Sequence, residues 1–277
     1  MIGLTATPFR TVQGAPSPDE ATESLRTVFS DGLFLPSVLG DDPKGTLITR
    51  RILARPIYNR LEVTNLSSVA TGLSDDRLEG QIDRELGRLA GRDLRRRRRI
   101  VDTLTHVLHD SPPARVLYFG PTVADAEVIS FLLLQSGFRA ACLSAVTHAS
   151  SRRDMVKRFR DGEYQVLCNH GVLTTGFDDP RITHVVVARP TVSLVLYEQM
   201  VGGGLRGPGF GGTGECQIFS VEDTFAGGSA ATTVWRSFID SWKPHVRVAR
   251  DHVSMRLGLP CVEREAPTFD KVNAGLD

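Results

Sequence analysis

The chain has 277 residues, which is enough for about two domains of ordinary size. Its content of 41% hydrophobic and 23% charged residues is typical of a globular protein and excludes a largely disordered or collagen-like chain. Lysine and arginine total 33 against 32 acidic residues, which gives a formal net charge of +1. This balance excludes a whole-molecule attraction to nucleic acid or membrane, so any basic surface must be local.

The four cysteines lie far apart in the sequence and form no Cys-x-x-Cys pair. Their spacing argues against a zinc knuckle, and the chain length argues against a disulfide scaffold, so we expect reduced, buried thiols and no metal site. No apolar run approaches the roughly 20 residues that a membrane-spanning helix needs, and the first ten residues do not resemble a signal peptide. These features predict a cytoplasmic protein without membrane contact.

Up to residue 111 the sequence predicts a mainly helical connecting region. Apolar spacing and turn residues indicate, in order, a strand end at 1–4, a helix at 20–30, an extended segment at 52–63, and helices at about 75–90 and 92–108. The sequence Asp-Ser-Pro-Pro at 110–113 is the strongest boundary signal, because a helix cannot continue smoothly through it.

Beyond residue 113, strand and helix patterns alternate. Short apolar runs predict strands at 116–119, 140–143, 165–168, 183–188 and 215–220. Stretches between them predict helices at 122–136, 150–161 and 193–201. This alternation is typical of parallel β-α-β units, with the strand at 215–220 expected to close the sheet. One aromatic helix is predicted at 234–239 in an otherwise weakly patterned tail.

Four segments carry motif-like sequences: Leu-Thr-Ala-Thr-Pro at 4–8, Val-Leu-Tyr-Phe at 116–119, Leu-Thr-Thr-Gly-Phe-Asp-Asp-Pro at 173–180, and Gln-Met-Val-Gly-Gly-Gly-Leu-Arg at 199–206. In this order they resemble motifs III, IV, V and VI of a superfamily 2 DNA/RNA helicase of the DEAD/DEAH type. The resemblance implies an α/β fold with a RecA-like parallel sheet flanked by helices. It also implies four regions: the end of a first RecA-like domain at 1–10, a mostly helical inter-domain connection at 11–111, the helicase carboxy-terminal domain at 112–225, and a tail at 226–277.

In this family, ATP lies between two RecA-like domains and nucleic acid runs across both. By resemblance, the nucleotide is bound by Gly176, Asp178 and Arg206, of which Arg206 is also catalytic together with Gln199. The residues implied for coupling nucleotide state to the strand are Thr5, Ala6 and Thr7. The residues implied for nucleic-acid binding are Thr122, Asn169 and Thr174, whose short polar side chains suit phosphate oxygens. DNA or RNA is the implied partner, with DNA favoured.

The sequence departs from the family in two ways. Gly203 stands where motif VI has its first arginine, and an arginine of this type is worth about 10³–10⁵ in rate. The phosphate-binding pattern G-x-x-x-x-G-K-[ST] and an acidic Mg²⁺ motif ahead of residue 4 do not occur. We therefore expect ATP and Mg²⁺ only in a complete two-domain enzyme, with neither bound by this chain alone. A separate amino-terminal ATP-binding half is one candidate partner.

Two other functions stay open at this point. The chain could be a non-catalytic module that binds nucleic acid or protein, which Gly203 and the missing phosphate loop favour. A dinucleotide-binding oxidoreductase using the glycines at 202–204 is disfavoured, because that run follows a helix and not a strand. The arginine run at 95–99 is either a solvated helix face or a contact for phosphates or an acidic partner. His170 and the aromatic residues at 235, 238 and 242 are expected to be structural.

Overall fold

A computed structural model describes residues 42–65, 79–111, 113–174, 177–191, 194–224 and 247–248. The expectations for the strand end at 1–4, the helix at 20–30 and the aromatic helix at 234–239 lie outside these residues. Among the helices that are described, none has both the length and the apolar composition needed to cross a bilayer.

The described elements follow the predicted alternation closely. Their bounds are α1 Pro43–Thr49, β1 Arg55–Asn65, α2 Glu79–Arg92, α3 Leu94–Asp110, β2 Val116–Phe119, α4 Val123–Gln135, β3 Ala140–Leu143, α5 Ala149–Asp161, β4 Val166–Asn169, β5 His184–Val187, α6 Leu194–Gly202, β6 Glu215–Thr224 and β7 Arg247–Val248. A single 3₁₀ turn, Pro208–Phe210, lies between α6 and β6.

The strands that the structure describes form one sheet of seven in the order β3-β4-β2-β5-β6-β1-β7. Every neighbouring pair is parallel, which confirms the predicted α/β class. The expectation that residues 215–220 close the sheet is wrong. β6 has β5 on one side and β1 on the other, and β7 lies beyond β1.

β1 comes from the region predicted as an inter-domain connection. Its extended backbone agrees with the prediction for 52–63, but its pairing with β6 was not foreseen. The pairing runs from Arg55 opposite Glu215 to Asn65 opposite Thr224, with one irregularity between Glu62 and Thr64. This connecting segment is therefore built into the sheet on its way to α2.

Two apolar layers cover the two faces of the sheet. Alternate residues of β2 point to opposite sides, so that Leu117 packs in one cluster and Tyr118 in the other. Phe159 of α5 belongs to the Leu117 layer, and Ile129 of α4 to the Tyr118 layer. Helices thus shield both faces, as a parallel sheet requires.

A buried histidine lies at the start of β5. The His184 side chain is 6% exposed, its ring stacks on Phe219, and its Nδ1 lies 2.7 Å from Thr183 Oγ1. Burial lowers the pKa of His184 to about 4, so the folded protein holds the imidazole neutral.

We expect this histidine to make the fold acid-sensitive. Below the unfolded pKa of about 6.5 the unfolded chain binds a proton that the folded protein refuses until pH falls to about 4. The stability conferred by the neutral ring is therefore complete above pH 6.5 and decreases by about 2 kcal/mol between pH 7 and pH 5. Denaturant unfolding across this range should show a shallower pH slope for His184→Gln, while the exposed control His109→Gln keeps the slope.

Candidate nucleotide site

Two residues expected at the nucleotide, Asp178 and Arg206, form a bidentate ion pair. Arg206 Nε donates to Asp178 Oδ1 at 2.8 Å, and Arg206 Nη2 lies 2.7 Å from Asp178 Oδ2. The side chains stay 42% and 44% exposed, respectively, so the pair faces solvent. A planar guanidinium and a carboxylate matched in this way fix each other's orientation.

The pair lies at the edge of the sheet where the strands begin. Arg206 forms an isolated antiparallel bridge with Leu53, two residues before β1 starts at Arg55. On the other side, the backbone oxygen of Asp178 accepts a hydrogen bond of 2.9 Å from Arg160, near the end of α5. All strands run the same way, so this is the amino-terminal edge for the whole sheet.

Gly203 lies beside this pair with little room around it. A Cβ atom at position 203 would be 3.1 Å from the backbone oxygen of Phe177, a tight contact that a small backbone shift could relieve. The next residue, Gly204, packs far closer, since its Cβ would be 2.5 Å from Cγ2 of Val185. The expected arginine position can thus hold a side chain, whereas the residue after it cannot.

Gln199 lies on α6, the helix that leads to this edge, and its side chain is half-buried. Its neighbour Glu198 pairs with Lys44 of α1 at 3.4 Å. Burial raises the pKa of Glu198 and lowers that of Lys44. Of the other residues implied by the resemblance, Gly176, Thr5, Ala6 and Thr7 lie outside the described part of the chain.

The predicted nucleic-acid residues lie at the opposite edge, where strands end. Asn169 is wrong as a strand contact, because its side chain is fully buried. Its Nδ2 donates to the Tyr118 backbone oxygen at 2.9 Å, and its Oδ1 accepts from the Leu173 amide at 3.3 Å. Both ends of the amide are therefore committed to holding the loop after β4 against β2.

Thr122 and Thr174 are half-buried. The Thr122 hydroxyl caps α4 by accepting from the Asp125 amide at 3.1 Å. Thr122 is also covered on one side by α2, because a Cβ on Gly91 would be 3.0 Å from its hydroxyl oxygen. His170 Nδ1 lies 2.8 Å from the Gly120 backbone oxygen, which fits the structural role expected for it.

The arginine run at 95–99 divides in a way that neither reading foresaw. Arg96 is 1% exposed and its Nη2 donates to the Ala188 backbone oxygen. Arg97 Nε donates to Asp125 at 3.2 Å, and Asp125 also accepts from the Tyr118 hydroxyl at 2.7 Å. A run of five arginines gives no sign of which members are buried, so sequence reasoning missed this network.

Arg95 and Arg98 are exposed, as a solvated face requires. The described residues contain no group of three or more His, Cys, Asp or Glu side chains that could hold a metal ion. Among the cysteines described, Cys168 and Cys216 are buried free thiols and Cys142 is half-buried. Burial raises the pKa of Cys142 to about 12, so its thiol stays protonated at neutral pH.

The family model for the helicase conserved C-terminal domain matches residues 99–207. IRC3 of Saccharomyces cerevisiae, named as an ATP-dependent helicase, is 32% identical over 107 residues, which is 39% of this chain and 16% of IRC3. A 51.5 kDa protein of a Lactococcus phage (isolate 7-9) is 32% identical over 94 residues, 34% of this chain and 21% of that protein. The chain thus matches less than a quarter of the length of either relative.

Among solved structures, S. cerevisiae Dbp5 bound to RNA and ADP BeF3 superposes with a TM-score of 0.51 at 14% identity. The superposition covers 82% of this chain and 48% of that one. This likeness shows the fold, a RecA-like α/β domain of the kind expected from the motif order.

Proposed function

We propose that this chain, whose residues 99–207 form a helicase conserved C-terminal domain, is the carboxy-terminal half of an ATP-dependent nucleic-acid helicase or translocase. In this proposal it contributes Asp178 and Arg206 to an ATP cleft that a second RecA-like domain completes. The observation that carries the proposal is the exposed bidentate pair between these residues, next to the place where motif VI has its first arginine.

The geometry of the pair leaves Arg206 able to bind phosphate. A guanidinium has five N–H donors, and Asp178 engages only Nε and one hydrogen of Nη2. The edge formed by Nη1 and the second Nη2 hydrogen is a fork that matches two phosphate oxygens. Asp178 therefore holds the fork in a fixed plane, and the charge that develops on the transferred phosphoryl group is what Arg206 would stabilise.

The residues of the described part of the chain do not supply the rest of an ATP site. They offer no acidic cluster for Mg²⁺, and the sequence has no phosphate-binding loop. We assign both to the second domain, where Mg²⁺ would neutralise phosphate charge. Closure of the two domains on ATP and their reopening after hydrolysis would then shift the grip on DNA or RNA.

A photoaffinity experiment tests this proposal. The chain is irradiated with an azido-adenine analogue of ATP, alone and together with a separately expressed amino-terminal helicase domain that carries a phosphate-binding loop. We expect labelling of the chain only in the combination with single-stranded DNA, and much less labelling for Arg206→Gln. Arg153→Gln, which removes an exposed arginine of α5, is the matched control and should label normally. Equal labelling of the two variants would contradict the role of Arg206.

Gly203 favours a second candidate, a nucleic-acid-binding module that has lost ATP chemistry. Its arginine contacts would be the exposed Arg95 and Arg98, at the amino end of α3. Titration of single-stranded DNA and RNA at several salt concentrations separates the two functions. The module binds equally with and without ATP and the second domain, and Arg95→Gln with Arg98→Gln lowers the salt slope by about 0.7 per lost phosphate contact. A nucleotide-dependent affinity supports the helicase half.

A further inference from the structure

The backbone on both sides of Arg206 is hydrogen-bonded to a short turn, Arg51–Ala54, that precedes β1. The Ala54 amide donates to the Leu205 oxygen at 3.0 Å, and the Gly207 amide donates to the Ile52 oxygen at 2.9 Å. A third bond of 2.8 Å joins the Gly209 amide to the Arg51 oxygen. Arg206 is thus the centre of a segment attached on both sides to a part of the chain outside the matched residues 99–207.

The turn depends on an unusual backbone conformation at Arg51. Its φ is +60°, the left-handed region that side chains other than Gly and Asn rarely adopt, and no other described non-glycine residue has a positive φ. This conformation directs the Arg51 oxygen towards the Arg206 loop. A Cβ on Gly207 would be 2.4 Å from that oxygen, so the two backbones meet closely where only glycine fits.

Both ends of the turn are anchored. On one side the Arg55 amide donates to the Gly214 oxygen at 2.9 Å, and Arg55 begins the pairing of β1 with β6. On the other side α1 is tied to α6 by Lys44 and Glu198. The turn is therefore fixed between the sheet and the helix that carries Gln199.

We propose that the 51–54 turn positions Arg206 for the nucleotide, with Arg51 as the positioning residue. The proposal rests on the function proposed above. Gly203 has no side chain, so Arg206 is the one arginine left in the motif VI pattern and nothing can substitute for it if it is misplaced. Misplacement of a catalytic group by about 1 Å can cost about 100-fold in rate.

A graded substitution series at Arg51 tests the proposal. Tolerance of the left-handed region falls in the order Gly, Asn, Ala, Val, and this order matches neither size nor polarity. The first readout is the Nε–H signal of Arg206 by NMR in the full chain, assigned through Arg206→Lys. We expect Arg51→Gly and Arg51→Asn to keep the wild-type signal, Arg51→Ala to broaden or shift it, and Arg51→Val to lose it. Amide exchange at Gly207 and Gly209 should accelerate about tenfold in Arg51→Val.

Arg50→Val is the matched control, because Arg50 has an ordinary φ of −74° and the substitution removes the same charge. It should leave the Arg206 signal unchanged. A second readout is labelling by the ATP analogue in the two-domain combination, which should follow the same order of variants. An unchanged Arg206 signal in both Arg51→Ala and Arg51→Val would overturn the proposal. If the wild-type combination is not labelled at all, the proposed function fails while the NMR series still decides the positioning role.

Discussion

Replacing Gly203 by arginine is expected to raise the rate of ATP hydrolysis about a thousandfold or more, when the chain is combined with an ATP-binding amino-terminal helicase domain. The reason is that the substitution restores the second of two cationic groups that stabilise developing phosphate charge, beside Arg206. The structure can accept it at modest cost, since the new Cβ would be 3.1 Å from the Phe177 backbone oxygen. Steady-state phosphate release in the presence of single-stranded DNA measures the effect.

Gly202→Arg is the control for added charge. It introduces the same side chain one residue earlier, on an exposed residue where a Cβ would have no atom within 4 Å. The guanidinium then points away from the Arg206 pair, so no gain in hydrolysis is expected. Equal rates for wild type and a folded Gly203→Arg variant would show that position 203 is not in the cleft.

Asp125→Ala is expected to destabilise the fold by about 3–5 kcal/mol, the largest stability effect we anticipate. Asp125 is 2% exposed and accepts from both Arg97 and the Tyr118 hydroxyl. Truncation would leave a half-buried guanidinium and a buried hydroxyl without their acceptor. Equilibrium urea unfolding, monitored by circular dichroism, gives the difference directly.

The double variant Asp125→Leu with Arg97→Met separates the loss of the ion pair from the loss of packing. Removing both charges avoids an uncompensated buried group, so the double variant should be more stable than Asp125→Ala alone. If Asp125→Ala costs less than about 1 kcal/mol, the network does not hold α3 and α4 against the sheet as described.

Local patterns were sufficient to predict most elements. The strands at 116–119 and 140–143 were predicted to the residue, because each is an apolar run enclosed by turn residues. The predicted helix at 122–136 is seen at Val123–Gln135, since Thr122 supplies the capping hydroxyl that its sequence position suggests. The bidentate pair combines two residues that the motif order had already assigned to one site.

What sequence reasoning missed depends on contacts between distant segments. The alternation in residues 52–63 predicts an extended backbone but cannot name its neighbour, so the place of β1 beside β6 was not foreseen. Asn169 follows a strand, as many binding residues do, yet its amide satisfies backbone groups of the protein itself. The left-handed conformation of Arg51 has no signature in an arginine residue.

The most direct test of the central claim is ATP hydrolysis by the chain alone and in combination with an amino-terminal helicase domain, each with single-stranded DNA. Our account predicts no hydrolysis by the chain alone, slow DNA-stimulated hydrolysis in the combination, and loss of that activity in Arg206→Ala. Strong DNA-stimulated hydrolysis by the chain alone would contradict the account, as would a combined rate that Arg206→Ala leaves unchanged.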